Sequence, residues 1–232
     1  MQTLPTGWDE VRSGLYRWET KVEIAGVEYG EDRIFHLNTS AALYSKNTVS
    51  IGGCVAKEID LSVLPQGDIP RMAEIRVWVR PVATRTSTSV EAGWLPKGVF
   101  YIDTRETDSI SGVTTIHGYD IMLKTEQMFL TETTEDDWPK PMSEVVAEIV
   151  ERIGTTVDSR TTVSSTFMAE YPLDYTMREV LGYIAVAHAG NWIVTDAGEL
   201  RLIGLADTPE GTYYLVTEDG DVILFGDTRI TV

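Results

Sequence analysis

The 232-residue chain is 43% hydrophobic and 24% charged, ordinary globular usage with enough material for one large or two small cores, which argues against bulk disorder. Its formal net charge of −17 repels phosphate backbones and argues against direct DNA or RNA binding, because tight nucleic-acid binding depends on Lys and Arg releasing counterions. A single cysteine, Cys54, excludes an intrachain disulfide, and no apolar stretch reaches the roughly 20 residues that a membrane helix requires.

The first residues, Met1-Gln2-Thr3-Leu4-Pro5-Thr6-Gly7-Trp8-Asp9-Glu10, carry neither a basic n-region nor an apolar h-region, so the expectation is a soluble protein made in a cytoplasm. Residues 1–19 read as an N-terminal arm in which Trp8, Val11, Leu15 and Trp18 stand near helical spacing. Such an arm needs a partner or the body of the protein to cover its apolar groups. Val22-Glu23-Ile24-Ala25-Gly26-Val27-Glu28-Tyr29 reads as a tight hairpin turning at Ala25-Gly26, with a further strand at 34–37.

Four short alternating strands follow, at 54–63, 73–80, 98–106 and 113–118. Ile59, Leu61 and Val63 share one face against Glu58, Asp60 and Ser62, and Ile75, Val77 and Val79 alternate likewise with Arg76, Trp78 and Arg80. Period-two alternation describes strands with one wet face, so residues 20–120 are expected to form an antiparallel sheet or small β-barrel-like domain, not a nucleotide-binding α/β layout. The Thr- and Ser-rich stretch 81–94 reads as an exposed connection.

After Gly118 the period changes to 3.6. A short helix is expected over 119–127, an acidic linker over 131–141, and a helix opening at Pro141 with Met142, Val145, Val146, Ile149 and Ile153 as its stripe and Gly154 as its cap. A β-rich piece runs to about Tyr171. Thr176 and Glu179 then form a capping-box pattern before Met177, Val180, Leu181 and Ile184, with Gly190 ending the helix. Trp192-Ile193-Val194, the Asp196-Ala197-Gly198 turn and 200–203 read as a hairpin, and 215–226 repeats its pattern. The expected class is therefore β-rich α+β, with an α/β segment of two amphipathic helices and hairpins over 121–232.

Catalytic chemistry is not spelled out. His36, His117 and His188 never reach ligand spacing with one another or with Cys54, and no Gly-x-Ser-x-Gly elbow, His-Glu-x-x-His helix or phosphate-binding glycine loop occurs. His117 reads as a hydrogen-bonded strand residue, His188 as a helix C-terminal residue suited to the dipole, and Cys54 as a small buried hydrophobe. Gly52-Gly53 marks a bulge or a close backbone approach. No catalytic, cofactor-binding or metal-ligating residue is assigned, and no cofactor is expected.

Several segments resemble a known family. Ser50-Ile51-Gly52-Gly53-Cys54-Val55-Ala56-Lys57-Glu58-Ile59, Trp94-Leu95-Pro96-Lys97-Gly98-Val99-Phe100-Tyr101-Ile102-Asp103, Thr115-Ile116-His117-Gly118-Tyr119-Asp120 and Arg178-Glu179-Val180-Leu181-Gly182-Tyr183-Ile184-Ala185 resemble, in order, the tail-hub family of Gram-positive phages and prophages. That family is also known as the N-terminal part of tail-associated endopeptidase or tail-spike proteins, and it is similar to the baseplate hub of contractile-tailed phages. The resemblance spans roughly 21–203. It implies a structural protein of the virion tail tip, a homotrimeric ring closing the tail tube. Its implied partners are the distal tail protein, the tape-measure protein and a spike or fibre, with DNA passing through the lumen unbound and no membrane insertion. Family hubs continue into a second barrel, whereas this sequence ends at Thr228-Arg229-Ile230-Thr231-Val232, so a fragment, or a neighbour that supplies the missing piece, is expected.

Trp8, Trp18, Trp78 and Trp94 are the candidate oligomer or partner interface, since aromatics dominate interface energetics. A lumen lined by carboxylates would keep DNA from sticking. The alternatives are a cell-wall hydrolase and a receptor- or carbohydrate-binding module using Trp78 or Trp94.

Overall fold

A computed structural model describes residues 4–43, 49–84, 91–130 and 137–204, together with two short strands beyond them. The chain opens with helix α1 (Trp8–Arg12), followed by strands β1 (Tyr16–Ile24), β2 (Val27–Tyr29), β3 (Ile34–Ser40), β4 (Glu58–Val63), β5 (Glu74–Ala83), β6 (Leu95–Thr107) and β7 (Thr114–Tyr119). These seven strands form one antiparallel sheet in the order β2-β1-β5-β6-β7-β4-β3. Strand β4 lies beside β7 and not β5, so the four consecutive strands adopt a Greek-key order where their sequence alone would equally fit a meander.

The hairpin register is Val22 opposite Tyr29 and Ile24 opposite Val27, with Ala25 and Gly26 at φ 50 and 83, the two left-handed positions of a type I′ turn. Alternation decides the faces. Val22, Ile24, Ile59, Leu61, Val63, Ile75, Val77, Phe100, Ile102 and Ile116 form one buried cluster, each side chain contributing about 1.5–3 kcal/mol on burial. Residues from β1, β5, β6, β7 and β4 share that one cluster, so the sheet curls around a single core. It is a half-barrel: β2 and β3 are its free edges. Bulges supply the bend. Lys97 and Asp103 on β6, and Phe35 on β3, are each extra residues opposite an uninterrupted partner strand.

A second core follows. Asp120 caps a 3₁₀ helix (Ile121–Glu126), strands β8 (Lys140–Pro141) and β9 (Met168–Ala169) pair across helix α2 (Met142–Ile153), and helix α3 (Met177–Ala187) leads into the hairpin β10 (Gly190–Val194) and β11 (Leu200–Gly204). Ile121, Met122, Val145, Ile149, Leu181, Ile184 and Trp192 pack together, and the fully buried Trp192 donates its indole N–H to the Leu181 carbonyl at 2.8 Å. Gly154 ends α2 at φ 78, and Thr176 and Glu179 close a capping box at the start of α3.

Several expectations need correction. Gly190 opens β10 instead of ending α3, which stops at Ala187, with Ala189 in the left-handed conformation at φ 49. The helical spacing at the N-terminus is real only for Trp8 and Val11; Leu15 and Trp18 lie past the helix, the latter in β1, because the backbone from Tyr16 pairs along the whole of β5. The stretch 81–94 is not simply an exposed connection, since β5 extends to Ala83, Pro81 is buried and Ala92 packs against α1; residues 85–90 lie outside the described residues. The helix expected at 119–127 is 3₁₀, and Pro141 precedes α2 instead of opening it. The β-rich piece before Tyr171 amounts to β9 and a parallel bridge between Val157 and Leu200, in which Asp158 N–H donates to Leu200 O and Leu200 N–H to Thr156 O, each at 2.9 Å. Residues 131–136 of the acidic linker and 215–223 of the second hairpin lie outside the described residues, while β12 (Leu224–Phe225) pairs with β13 (Thr228–Arg229).

Two glycines separate backbone conformation from packing. Gly52 sits at φ 81 with room for no side chain, since a Cβ there would lie 2.5 Å from Val186, whereas Gly26 at φ 83 has nothing within 4 Å. Urea unfolding is expected to show G26A destabilised by about 1 kcal/mol and G52A by at least about 2 kcal/mol more, the left-handed conformation plus a clash; equal losses would contradict the close approach.

Candidate interaction surfaces

The four tryptophans divide between the two faces of the sheet. Trp8 is buried beneath β5 and β6 with Val11, Ala92 and Leu95, and its indole donates to the Gly93 carbonyl at 2.6 Å, so the body of the protein covers the helical arm. Trp18 lies on the same face of the sheet but 49% exposed, its ring 5.5 Å from both Trp8 and Tyr16. Together with the exposed Tyr16 it forms an aromatic patch on the part of β1 that β2 does not cover.

Trp78 and Trp94 are half-buried on the opposite face. The Lys21 ammonium lies 5.2 Å from the Trp78 ring and 5.0 Å from the Trp94 ring, and the Arg80 guanidinium lies 4.5 Å from the Trp94 ring. Glu28 and Glu19 hold these two cations at 2.9 and 2.6 Å. The cations occupy ring faces that a stacked sugar would need, which favours the packing reading of both indoles over the carbohydrate-binding one.

A groove that sequence reasoning did not find lies between the two cores. Residues 50–57 form an extended strap that leaves the barrel and crosses α3. The strap is bonded to β10 on both sides of Gly52-Gly53: Gly52 N–H donates to Gly190 O and Trp192 N–H to Gly53 O, each at 2.8 Å. The Asn191 side chain grips it twice, its Oδ1 accepting from Gly53 N–H and its Nδ2 donating to Ser50 O, both at 2.7 Å. Cys54 stands opposite Trp192 in a parallel bridge, extending the β10–β11 hairpin by one strand. The strap can lie this close to α3 because Gly182 faces Gly52, whose carbonyl would be 3.1 Å from a Cβ at position 182. The groove beside it, about 810 Å³, is walled by Ile51, Val55, Leu123, Tyr183 and Val186, with Arg178 bonded to Glu126 at 2.5 Å on its rim.

At the far end of the strap the Asp120 carboxylate accepts from Lys57 N–H at 2.8 Å and from Met122 N–H at 2.9 Å, joining the strap to the 3₁₀ helix. These donors, with the charges of Lys57 and Arg178, favour ionised Asp120, but burial outweighs them and pushes its pKa up to about 6. Burial likewise pushes the Cys54 thiol up to about 12, against a weaker pull from Arg178. The histidines serve structure. His117 Nδ1 lies 2.7 Å from Asp60 on the polar outer face of β4 and β7, while His188 donates through Nδ1 to Ile184 O and accepts at Nε2 from Ser164 N–H, so both of its ring nitrogens are spent on backbone groups. Among the described residues no three His, Cys, Asp or Glu side chains are grouped to hold a metal ion.

Two outcomes test this electrostatic arrangement. The folded protein holds the Asp120 proton more tightly than the unfolded chain, so the contribution is complete below about pH 3.8 and is lost as pH rises through about 6, a change on the order of 3 kcal/mol. Chemical unfolding of wild type and D120N is expected to show wild type losing ground to the variant between pH 4 and 7; a constant difference would contradict it. Iodoacetamide at pH 8 is expected to modify Cys54 at least about 100-fold more slowly in the folded chain than in urea; equal rates would show an available thiolate.

No family model matches the chain, and no curated protein matches it. Solved structures do. The 43 kDa tail protein of prophage MuSo2 from Shewanella oneidensis is similar over 85% of this chain and 59% of its own, with a TM-score of 0.55 and 14% identity. A tail protein from Neisseria meningitidis MC58 is similar over 88% of this chain and 57% of its own, with a TM-score of 0.56 and 10% identity. The chain thus spans somewhat under three fifths of the length of each, and it shares the fold of these tail proteins.

Proposed function

We propose that this chain is a structural component of a bacteriophage or prophage tail, placed at the tail tip as part of a hub ring. The likeness of 85–88% of the chain to two tail proteins carries the reading, together with the hub-like segments noted in the sequence. In this reading the chain acts by docking and catalyses no reaction. Three copies close the tube, contacting the distal tail protein, the tape-measure protein and a spike or fibre, and the exposed Trp18 patch on β1 is one of the contacts. Asp60, on the polar outer face of β4, is a candidate for a lumen lining that repels DNA. This extends the resemblance to hubs that carry an endopeptidase module in their C-terminal part.

Sedimentation equilibrium of the purified chain, alone and with the distal tail protein of the same phage, tests the reading. A trimer is expected in one or both, and Trp18→Ser is expected to weaken self-association by at least tenfold, since a central aromatic anchor is typically worth 2 kcal/mol or more. A strictly monomeric chain that does not bind the distal tail protein, and that immunogold labelling fails to find at the tail tip, would overturn it.

A further inference from the structure

The groove between the strap and α3 has a composition that specifies what fits it. Its walls present apolar groups that the chain itself leaves open: Ile51 is 42% exposed, Val186 49% and Tyr183 56%. Gly52 and Gly53 on the strap and Gly182 on α3 bring its two sides close together, and Cys54, Val55 and Ala56 continue the strap side. The charged groups along it are unbalanced. Glu58, Glu126 and Glu179 line it against a single cation, Arg178, which is bonded to Glu126 at 2.5 Å, while Glu179 also accepts from Thr176 in the capping box. The trough runs beside an extended segment that is bonded to β10, with a helix as the opposite wall. About 810 Å³ accommodates several residues of an extended chain.

We propose that this groove docks an extended polypeptide segment in which apolar side chains alternate with Lys or Arg. The apolar side chains of the partner lie over Ile51, Tyr183 and Val186, and its cations meet the excess carboxylates of the rim. A segment two residues per repeat places alternate side chains on opposite sides, which matches a trough apolar within and acidic at its edge. The net charge of −17 steers such a cationic segment toward the surface, whereas an acidic one meets repulsion both at long range and at the rim. The proposal rests on the groove alone and stands whether or not the chain belongs to a tail tip.

The test uses the full chain and three fluorescein-labelled decapeptides, alternating Leu with Lys, Leu with Glu, and Gln with Lys, followed by anisotropy at low salt. The Leu/Lys peptide is expected to bind at least tenfold more tightly than either of the others. Tyr183→Asp adds negative charge while removing an apolar contact, so a tenfold or greater loss with this variant reports the apolar wall and not the general charge. Glu58→Lys, on the exposed rim, is expected to weaken binding at least threefold at low salt and less at 0.5 M salt. Ile110→Asp, at an exposed position of the β6–β7 turn away from the groove lining, is expected to leave the affinity unchanged, and thermal melts confirm that each variant folds. Equal binding of the Leu/Glu peptide, indifference to Tyr183→Asp and Glu58→Lys, or a loss on Ile110→Asp would overturn the proposal. So would self-association of the chain that Tyr183→Asp abolishes while no peptide binds, which would assign the groove to a second copy.

Discussion

The grip of one carboxamide on one extended segment holds this molecule together as a unit. Asn191 contacts the strap at Ser50 and Gly53 with both ends of its side chain, and Asp120 receives the strap's far end at Lys57. The strap connects to β4 in the barrel and is the added strand of the β10–β11 hairpin in the second core, so it belongs to both. Such bonds between buried groups contribute about 1 kcal/mol each when made, but removing one partner and leaving the other unsatisfied costs more. The geometry tolerates no slack: Gly52 and Gly182 bring the strap onto α3 at a distance where a methyl group on either would meet the opposite backbone or side chain.

The surfaces that face outward follow from that unit. Because the strap rests on glycine and not on larger side chains, a trough remains beside it, and the exposed groups of α3 form its far wall. Because β2 is only three residues long, the first part of β1 stays uncovered, and the aromatic patch around Trp18 sits there. The half-barrel thus offers an open apolar edge, a polar outer face with the Asp60–His117 pair, and an acidic apolar groove, three different chemistries on one rigid body.

What the sequence displayed and what it concealed divide by range. The alternation of Ile59, Leu61 and Val63, and of Ile75 and Val77, revealed the strands because burying one face of a strand leaves its mark on adjacent residues. The Thr176–Glu179 capping box and the Gly154 cap were equally legible, each being satisfied within a few residues. Gly52-Gly53 showed that something comes close, but not what. Its partners Gly182 and Asn191 lie well over a hundred residues away, and an Asn in a hairpin advertises no particular contact. The Greek-key placement of β4 beside β7, the raised pKa of Asp120 and the groove itself share that long-range origin. Trp8 and Trp18 misled for the reverse reason, since a short helix running into a strand placed both near one helical spacing by coincidence.

Native-state hydrogen exchange tests most directly the claim that the strap makes the two cores one body. In wild type, the amides of Gly52, Gly53 and Trp192 are expected to exchange with the same opening free energy as those of Leu61 and Ile116 in the barrel and Leu181 in α3, all at the global value. In Asn191→Ala the strap amides are expected to open well below it. Rapid exchange of the strap in wild type, with both cores still protected and unaffected by the Asn191 substitution, would contradict the account.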